Sequence, residues 1–176
     1  MNQILLVMGA SPLMKADCER FLELQDVKID YLGVGIDVMD RVEQDIKYFA
    51  TYHPKDIEPA RERRKRMGYN LDYKTICHIP YPKENNNFVD FIISIDLKKE
   101  KSGSSAMLGC LAGIELGYTK IVLCGCPMEG VNHKGVGYGQ FQKGWKFHEQ
   151  KVKDVVKSMS GWTKEFLGEP TEGWLK

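Results

Sequence analysis

Short, wholly apolar runs alternate along this chain with stretches in which apolar residues recur every three or four positions. Ile4-Leu5-Leu6-Val7-Met8 contains no polar residue and stops at Gly9, the pattern of a strand covered on both faces. Gly9-Ala10-Ser11-Pro12 predicts a turn with Ser11 as helix N-cap and Pro12 at the first helical position. Leu13, Ala16, Phe21, Leu22 and Leu24 then mark the buried side of a helix. Val27–Val34 predicts a second strand ending at Gly35. Tyr48–Tyr52 predicts a third, with Thr51 near its end and His53-Pro54 directly after it. Asp37 is placed to cap a short helix through Val42. Ile57–Met67 is helical and carries Arg61, Arg63, Arg64, Lys65 and Arg66. One helix cannot put all five on one face, so most are expected on a solvated surface. Lys74–Ile79 alternates as a strand does, a polar loop follows, and Phe88–Ile95 reads equally as strand or short helix.

The second half is organised around Ser102–Gly130. Small polar residues, Ser102 to Ser105, open a helix whose apolar side is Ala106, Met107, Leu108, Cys110, Leu111, Ile114 and Leu116. Gly117 ends it, and Ile121–Cys124 predicts a buried strand that stops at Gly125. A glycine-rich stretch, 129–144, is expected to be a loop or a lid over a ligand. A helical tail, 145–176, is expected after it, beginning with one helix over Trp145–Met159. Its Trp162, Phe166, Leu167, Trp174 and Leu175 predict docking on the domain or on a second copy, as a homodimer or higher homo-oligomer. Strands followed by helices in this order predict one α/β domain over residues 1–176. It is a three-layer Rossmann-like fold, a mostly parallel sheet with helices on both faces.

Composition narrows the classes of function. The formal net charge is +1, with 28% charged and 43% hydrophobic residues, which argues against a generally nucleic-acid-binding or membrane-seeking surface. Five cysteines, with no C-x-x-C spacing, predict buried reduced thiols in a cytoplasmic protein rather than a disulfide framework. Cys124 and Cys126 would join a metal site only with distant ligands, and neither metal nor cofactor is expected. The glycine turn after the first strand lacks the G-x-G-x-x-G fingerprint of dinucleotide enzymes.

Candidate chemistry collects where open parallel sheets bind ligands, at the carboxyl ends of the strands. The ligand contacts expected there are Gly9, Ala10 and Ser11 after the first strand, Gly35 after the second, and Thr51 and His53 at the third. Ser104 and Ser105 at the helix N-terminus, Gly125 after the central strand, and Lys134 and Tyr138 in the glycine-rich stretch complete the set. His53, fixed by Pro54, and His133 are the candidate acids or bases.

The central stretch resembles a segment of bacterial sialyltransferases of the Campylobacter type. In those a threonine-serine-glycine run opens a helix ending in leucine-glycine-tyrosine, and a strand and a serine-glycine-isoleucine-aspartate turn follow. Here Ser104-Ser105-Ala106 opens the helix, Leu116-Gly117-Tyr118 ends it, and Cys124-Gly125-Cys126-Pro127 takes the place of the turn. Val7–Pro12 is similar to that family's first nucleotide-contacting loop. Ala10, Gly35 and His53 stand where the family has asparagines, Pro127 replaces the turn aspartate, and His133 and His148 are loose matches to the catalytic base. In size and layout the chain is also similar to small tailed-phage proteins of unassigned role. The resemblance implies binding of a nucleotide or nucleotide-derived small molecule at the sheet's carboxyl edge. In a phage-encoded protein acting in the host cytoplasm, that would be sequestration of a signalling nucleotide. The alternatives are a glycosyltransferase using a nucleotide-sugar donor and a non-catalytic phage structural or assembly protein. Whether the chain is an enzyme stays open between them.

Overall fold

The apolar runs of the first half become adjacent strands in the computed structural model, which describes residues 3–24, 28–78, 89–96, 99–100, 104–130 and 137–176. In chain order the elements are β1 (Ile4–Met8), α1 (Met14–Glu23), β2 (Ile29–Val34), β3 (Ile46–Ala50), α2 (Ile57–Arg66), β4 (Lys74–His78), β5 (Phe91–Ile93), α3 (Ser104–Glu115) and β6 (Lys120–Cys124). They continue with α4 (Gly139–Phe147), α5 (Glu149–Val152), β7 (Val156–Ser158), α6 (Gly161–Leu167) and α7 (Glu172–Leu175). The strands form one sheet in the order β5-β4-β3-β2-β1-β6-β7, and each pairing is parallel. Strands β2 to β5 build outward on one side of β1, whereas β6 and β7 lie on the other. The winding direction therefore reverses between β1 and β6. This is a Rossmann-like α/β fold with helices on both faces.

Alternation along β1 divides the core into two layers. Leu5 and Val7 face the side covered by α3. Ile4, Leu6 and Met8 face Phe21 of α1, Ile57 and Ala60 of α2, and the Val38–Val42 turn. Helix α3 is buried continuously from Ala106 to Gly113. Its small residues explain how it lies so close to the strands. A Cβ on Gly113 would sit 2.6 Å from Leu5 Cδ2 and 2.8 Å from Ile121 Cδ1, and one on Gly109 would sit 2.9 Å from Val34 Cγ1.

Three local expectations are corrected. Trp145–Met159 is not one helix: it breaks at His148 into α4 and α5, and Val156–Ser158 becomes the edge strand β7 on β6. Val152, Val155 and Val156 fit a helical period, but β-branched valines also suit a strand, and pairing with β6 decides. At the start of α1, Ser11 does not cap a helix beginning at Pro12. The helix starts at Met14, and Ser11 Oγ instead accepts the Leu13 N–H at 3.3 Å. Asp37 sits inside a 3₁₀ turn over Ile36–Val38, where its carboxylate accepts Arg63 Nη1 at 3.1 Å.

The basic run is also less solvated than its composition suggests. Arg64 is fully buried and donates to three backbone carbonyls: Asn70 at 2.9 Å, Val42 at 2.9 Å and Gln44 at 3.2 Å. It ties the β2–β3 connection to the end of α2. The apolar tail docks on its own domain. Trp162 stacks on Phe166 with ring centroids 4.9 Å apart against the α3-side core, while Trp174 and Leu175 pack against the opposite layer. No helix among the described residues is long and apolar enough to cross a membrane.

At the amino ends of the strands, Asp30 of β2 accepts Lys47 Nζ at 2.7 Å and the Tyr118 hydroxyl. Burial alone would raise the Asp30 carboxyl. The hydrogen bonds from Lys47 and Tyr118 outweigh it and hold the group below its ordinary value. Stability from this pairing is complete above the ordinary value of 3.8 and is lost as the pH falls below it through the depressed one. Lys47→Met should therefore move the midpoint of acid unfolding, followed by circular dichroism, to higher pH. Arg64→Met, which removes the shared donor of three carbonyls, that of buried Val42 among them, should lower unfolding free energy in urea by about 2 kcal/mol.

Candidate functional site

The carboxyl ends of β1, β2, β3, β4 and β6 and the N-terminus of α3 open into one cavity of about 1110 Å³. Its floor is the crossing of two glycines. Gly9 N–H donates to the Cys124 carbonyl at 2.9 Å, and Ser11 N–H to the Gly125 carbonyl at 3.3 Å. A Cβ on Gly9 would meet Gly125 O at 2.4 Å and Cys126 Sγ at 2.5 Å. Gly125 has a φ of +67°, and a Cβ there would lie 2.5 Å from the Met14 Cβ and 2.7 Å from Gly9 O. Only glycine fits either position. The two loops consequently diverge from a shared backbone contact at the point where the sheet reverses direction, the place where open α/β sheets form a ligand crevice.

Buried polar groups outside the cavity fix the loop after β6. Asp17 of α1, 2% exposed, accepts the Gly125 N–H at 2.9 Å and the Ser160 hydroxyl at 2.6 Å. Thr163 Oγ1 donates to the Cys126 carbonyl at 2.7 Å. Gly161, at φ +64°, lies against Pro127 where a Cβ would be 2.3 Å away. Helix α3 enters through Ser104, which holds a φ of +77° while its Oγ accepts the Ala106 N–H at 3.3 Å. Ser104, Ser105 and Ala106 all line the cavity. The unsatisfied amides of a helix's first turn favour an anion there.

Nine of the residues singled out in the sequence line this cavity: Gly9, Ala10, Ser11, Gly35, His53, Ser104, Ser105, Gly125 and Tyr138. Thr51 is buried, 1% exposed, and does not line the cavity; its hydroxyl accepts the His53 N–H at 3.1 Å and so positions His53. His133 and Lys134 lie outside the described residues. His148 is buried at the α4–α5 junction, 3.4 Å from Glu100, and does not line the cavity.

His78, Tyr52, Arg41 and Phe141 also line the cavity, and no motif marked them. His78 falls one residue short of the end of the predicted strand Lys74–Ile79, whereas β4 ends at it; burial lowers its imidazole from the ordinary value, and His53 adds to the effect. Arg41 Nη1 donates to the Ala10 carbonyl at 2.7 Å and braces the first loop. Among the described residues, the charged side chains on the wall are Asp37, Arg41 and Glu129. Burial pushes the Tyr138 hydroxyl up, which keeps it a neutral hydrogen-bonding group. The five cysteines are buried and unpaired by disulfides. Burial pushes the thiol of Cys126 above its ordinary value, so it meets the cavity as a neutral group. No three His, Cys, Asp or Glu side chains among the described residues converge as metal ligands.

Fold and cavity together define a Rossmann-like α/β protein with a crevice at the reversal of its sheet. No family model matches the chain, and no curated protein matches it. Solved structures do. The sialyltransferase CstII from Campylobacter jejuni in complex with cytidine-5′-monophosphate superposes with a TM-score of 0.60 at 15% identity, covering 98% of this chain and 87% of that one. The same enzyme with CMP-3FNeuAc gives 0.62 at 15% identity over the same shares. The apo α-2,3-sialyltransferase from Campylobacter jejuni gives 0.62 at 14% identity, covering 97% and 80%. The chain shares the fold of these sialyltransferases.

Asp17 carries the loop after β6 without touching the cavity. Asp17→Ala should cost about 2–4 kcal/mol in urea unfolding, because it leaves the buried Gly125 N–H and the Ser160 hydroxyl without their acceptor.

Proposed function

We propose that the chain binds a nucleotide or nucleotide-derived small molecule in the cavity at the β1–β6 reversal. The observation that carries this reading is the convergence of the Gly9 and Gly125 loops with the first turn of α3 on one crevice. That arrangement suits a phosphate at the helix end, with the rest of the ligand spread along the strand termini. The volume, about 1110 Å³, lies at the upper end for small-molecule sites and leaves room for more than one mononucleotide unit. Two of the structural neighbours are complexes with a cytidine nucleotide or its sugar conjugate, which supports the same ligand class.

The reading extends to holding the ligand rather than transforming it, as in the sequestration of a signalling nucleotide by a phage-encoded protein in its host's cytoplasm. It is supported by the departures at Ala10, Gly35 and Pro127, which leave the strand-end loops with few reactive side chains. A second reading, glycosyl transfer from a nucleotide sugar, is favoured by the sialyltransferase neighbours and by His53 on the cavity wall as a base for the acceptor hydroxyl.

Thermal unfolding with added nucleotides tests both. Cytidine monophosphate or a cytidine nucleotide sugar at a hundredfold excess over Kd should stabilise the protein by about 2.7 kcal/mol, a rise of a few degrees in melting temperature. Ser105→Tyr should remove it by filling the crevice at the helix end. Recovery of the nucleotide sugar intact after incubation with acceptors supports holding, and release of free cytidine monophosphate supports transfer. A flat response to mononucleotides, nucleotide sugars and cyclic dinucleotides alike would overturn the nucleotide reading.

A further inference from the structure

The two layers of the core meet at this crevice, and each brings a different group to it. Helix α3 covers the layer of Leu5 and Val7, and its first turn enters the cavity from that side. The segment after β2 belongs to the opposite layer, through Val38, Met39 and Val42. From it Arg41 reaches the cavity wall, the one permanent cation there among the described residues.

The placement of Arg41 is fixed at both of its ends. Val38, Met39 and Val42 are buried and anchor the turn. The Arg41 N–H donates to the Val38 carbonyl at 3.0 Å, and the adjoining Val42 carbonyl accepts Nη1 of buried Arg64 at 2.9 Å. At the tip, Arg41 Nη1 donates to the Ala10 carbonyl at 2.7 Å. An exposed, long side chain is thereby held against the cavity, and it loses less freedom on meeting an anion than a loose one would. A guanidinium carries five N–H donors, and the Ala10 carbonyl takes up one.

The carboxylates beside Arg41 are drawn the other way. Asp37 and Asp40 both face Arg63 of α2, at 3.1 Å and 3.8 Å, so a second guanidinium offsets their charge. Glu129, the remaining acid on the wall among the described residues, follows Met128, which packs in the α3-side layer. Two places suited to an anion, the first turn of α3 and Arg41, thus lie on opposite sides of the sheet's edge. The cavity, about 1110 Å³, has room for a ligand that spans them.

We infer that Arg41 is a second anion subsite and that the ligand is a dinucleotide, with one phosphate at the first turn of α3 and another at Arg41. The inference rests on the nucleotide reading and narrows it to nucleotides with two separated phosphates. The bond to Ala10 then serves to aim the guanidinium as well as to brace the loop.

The test compares cytidine monophosphate, the dinucleoside monophosphate CpC, and pCpC, which adds a 5′-phosphate to CpC. CpC holds both nucleosides and a single phosphate, so the step from CpC to pCpC isolates the second phosphate. Isothermal titration should show pCpC binding about tenfold tighter than CpC, the worth of one charge-assisted hydrogen bond. In Arg41→Gln, whose amide can still donate to the Ala10 carbonyl, that ratio should fall to about one while CpC keeps its affinity. Arg41→Lys retains the charge and should give a ratio above that of Arg41→Gln. Arg41 is exposed, so both variants leave the core intact. Loss of loop bracing alone would weaken CpC and pCpC by the same factor and leave their ratio unchanged. That result, or equal affinity of the unaltered protein for CpC and pCpC, overturns the subsite and leaves the nucleotide reading standing. Failure of all three probes to bind also overturns the subsite; joined to a flat response to nucleotide sugars and cyclic dinucleotides, it overturns the nucleotide reading as well.

Discussion

Everything at the carboxyl edge of this sheet depends on a contact between two backbones. Gly9 and Gly125 approach so closely that a single methyl group on either would collide with main-chain atoms of the other loop. Such a collision has no side-chain remedy, since the obstructing atoms are carbonyl oxygen and α-carbon rather than a movable tip. The contact sets where the loops after β1 and β6 separate, and hence where the crevice begins. Asp17, Ser160 and Thr163 hold one of those loops from behind with buried hydrogen bonds. The wall is accordingly held from behind by α1 and by the segment around α6, although neither contributes the helix end that opens on the crevice.

Helix α3 supplies the second constraint. Gly109 and Gly113 let it settle onto Leu5, Leu32, Val34 and Ile121, and this seating aims its first turn at the crevice. A bulkier seam would lift the helix and carry Ser104 and Ser105 away with it. The same small residues that weaken a helix by propensity therefore serve packing, and packing serves the placement of the helix terminus.

Much of this arrangement was legible in the sequence because it rests on local rules. An apolar run ending at glycine marks β1 and β6, a glycine marks the end of α3, and strand ends mark the edge to which Gly35 and His53 belong. What was not legible depends on partners distant in the chain. Nothing in the spacing of Arg61 to Arg66 distinguishes Arg64, whose burial is set by three carbonyls on other segments. Val156 became a strand because β6 offered a free edge, a fact of topology rather than of propensity. Thr51 was grouped with ligand contacts by position, but strand alternation turns its hydroxyl under the His53 backbone. His78 was overlooked because the alternating pattern runs on to Ile79, whereas β4 ends at His78 itself.

The burial of the cysteines has a further consequence for how this protein can be observed. Cys77 on β4, Cys110 on α3, Cys124 on β6 and Cys126 beyond it are all enclosed, and burial raises each of their thiols above the ordinary value. A thiol that is both covered and protonated reacts slowly with alkylating reagents. Modification at each position then waits for the surrounding structure to open, and its rate measures the opening free energy of that part of the molecule. The native chain thus contains four internal clocks for local unfolding, spread from an outer strand to the centre of the sheet, with no labelling site to be engineered.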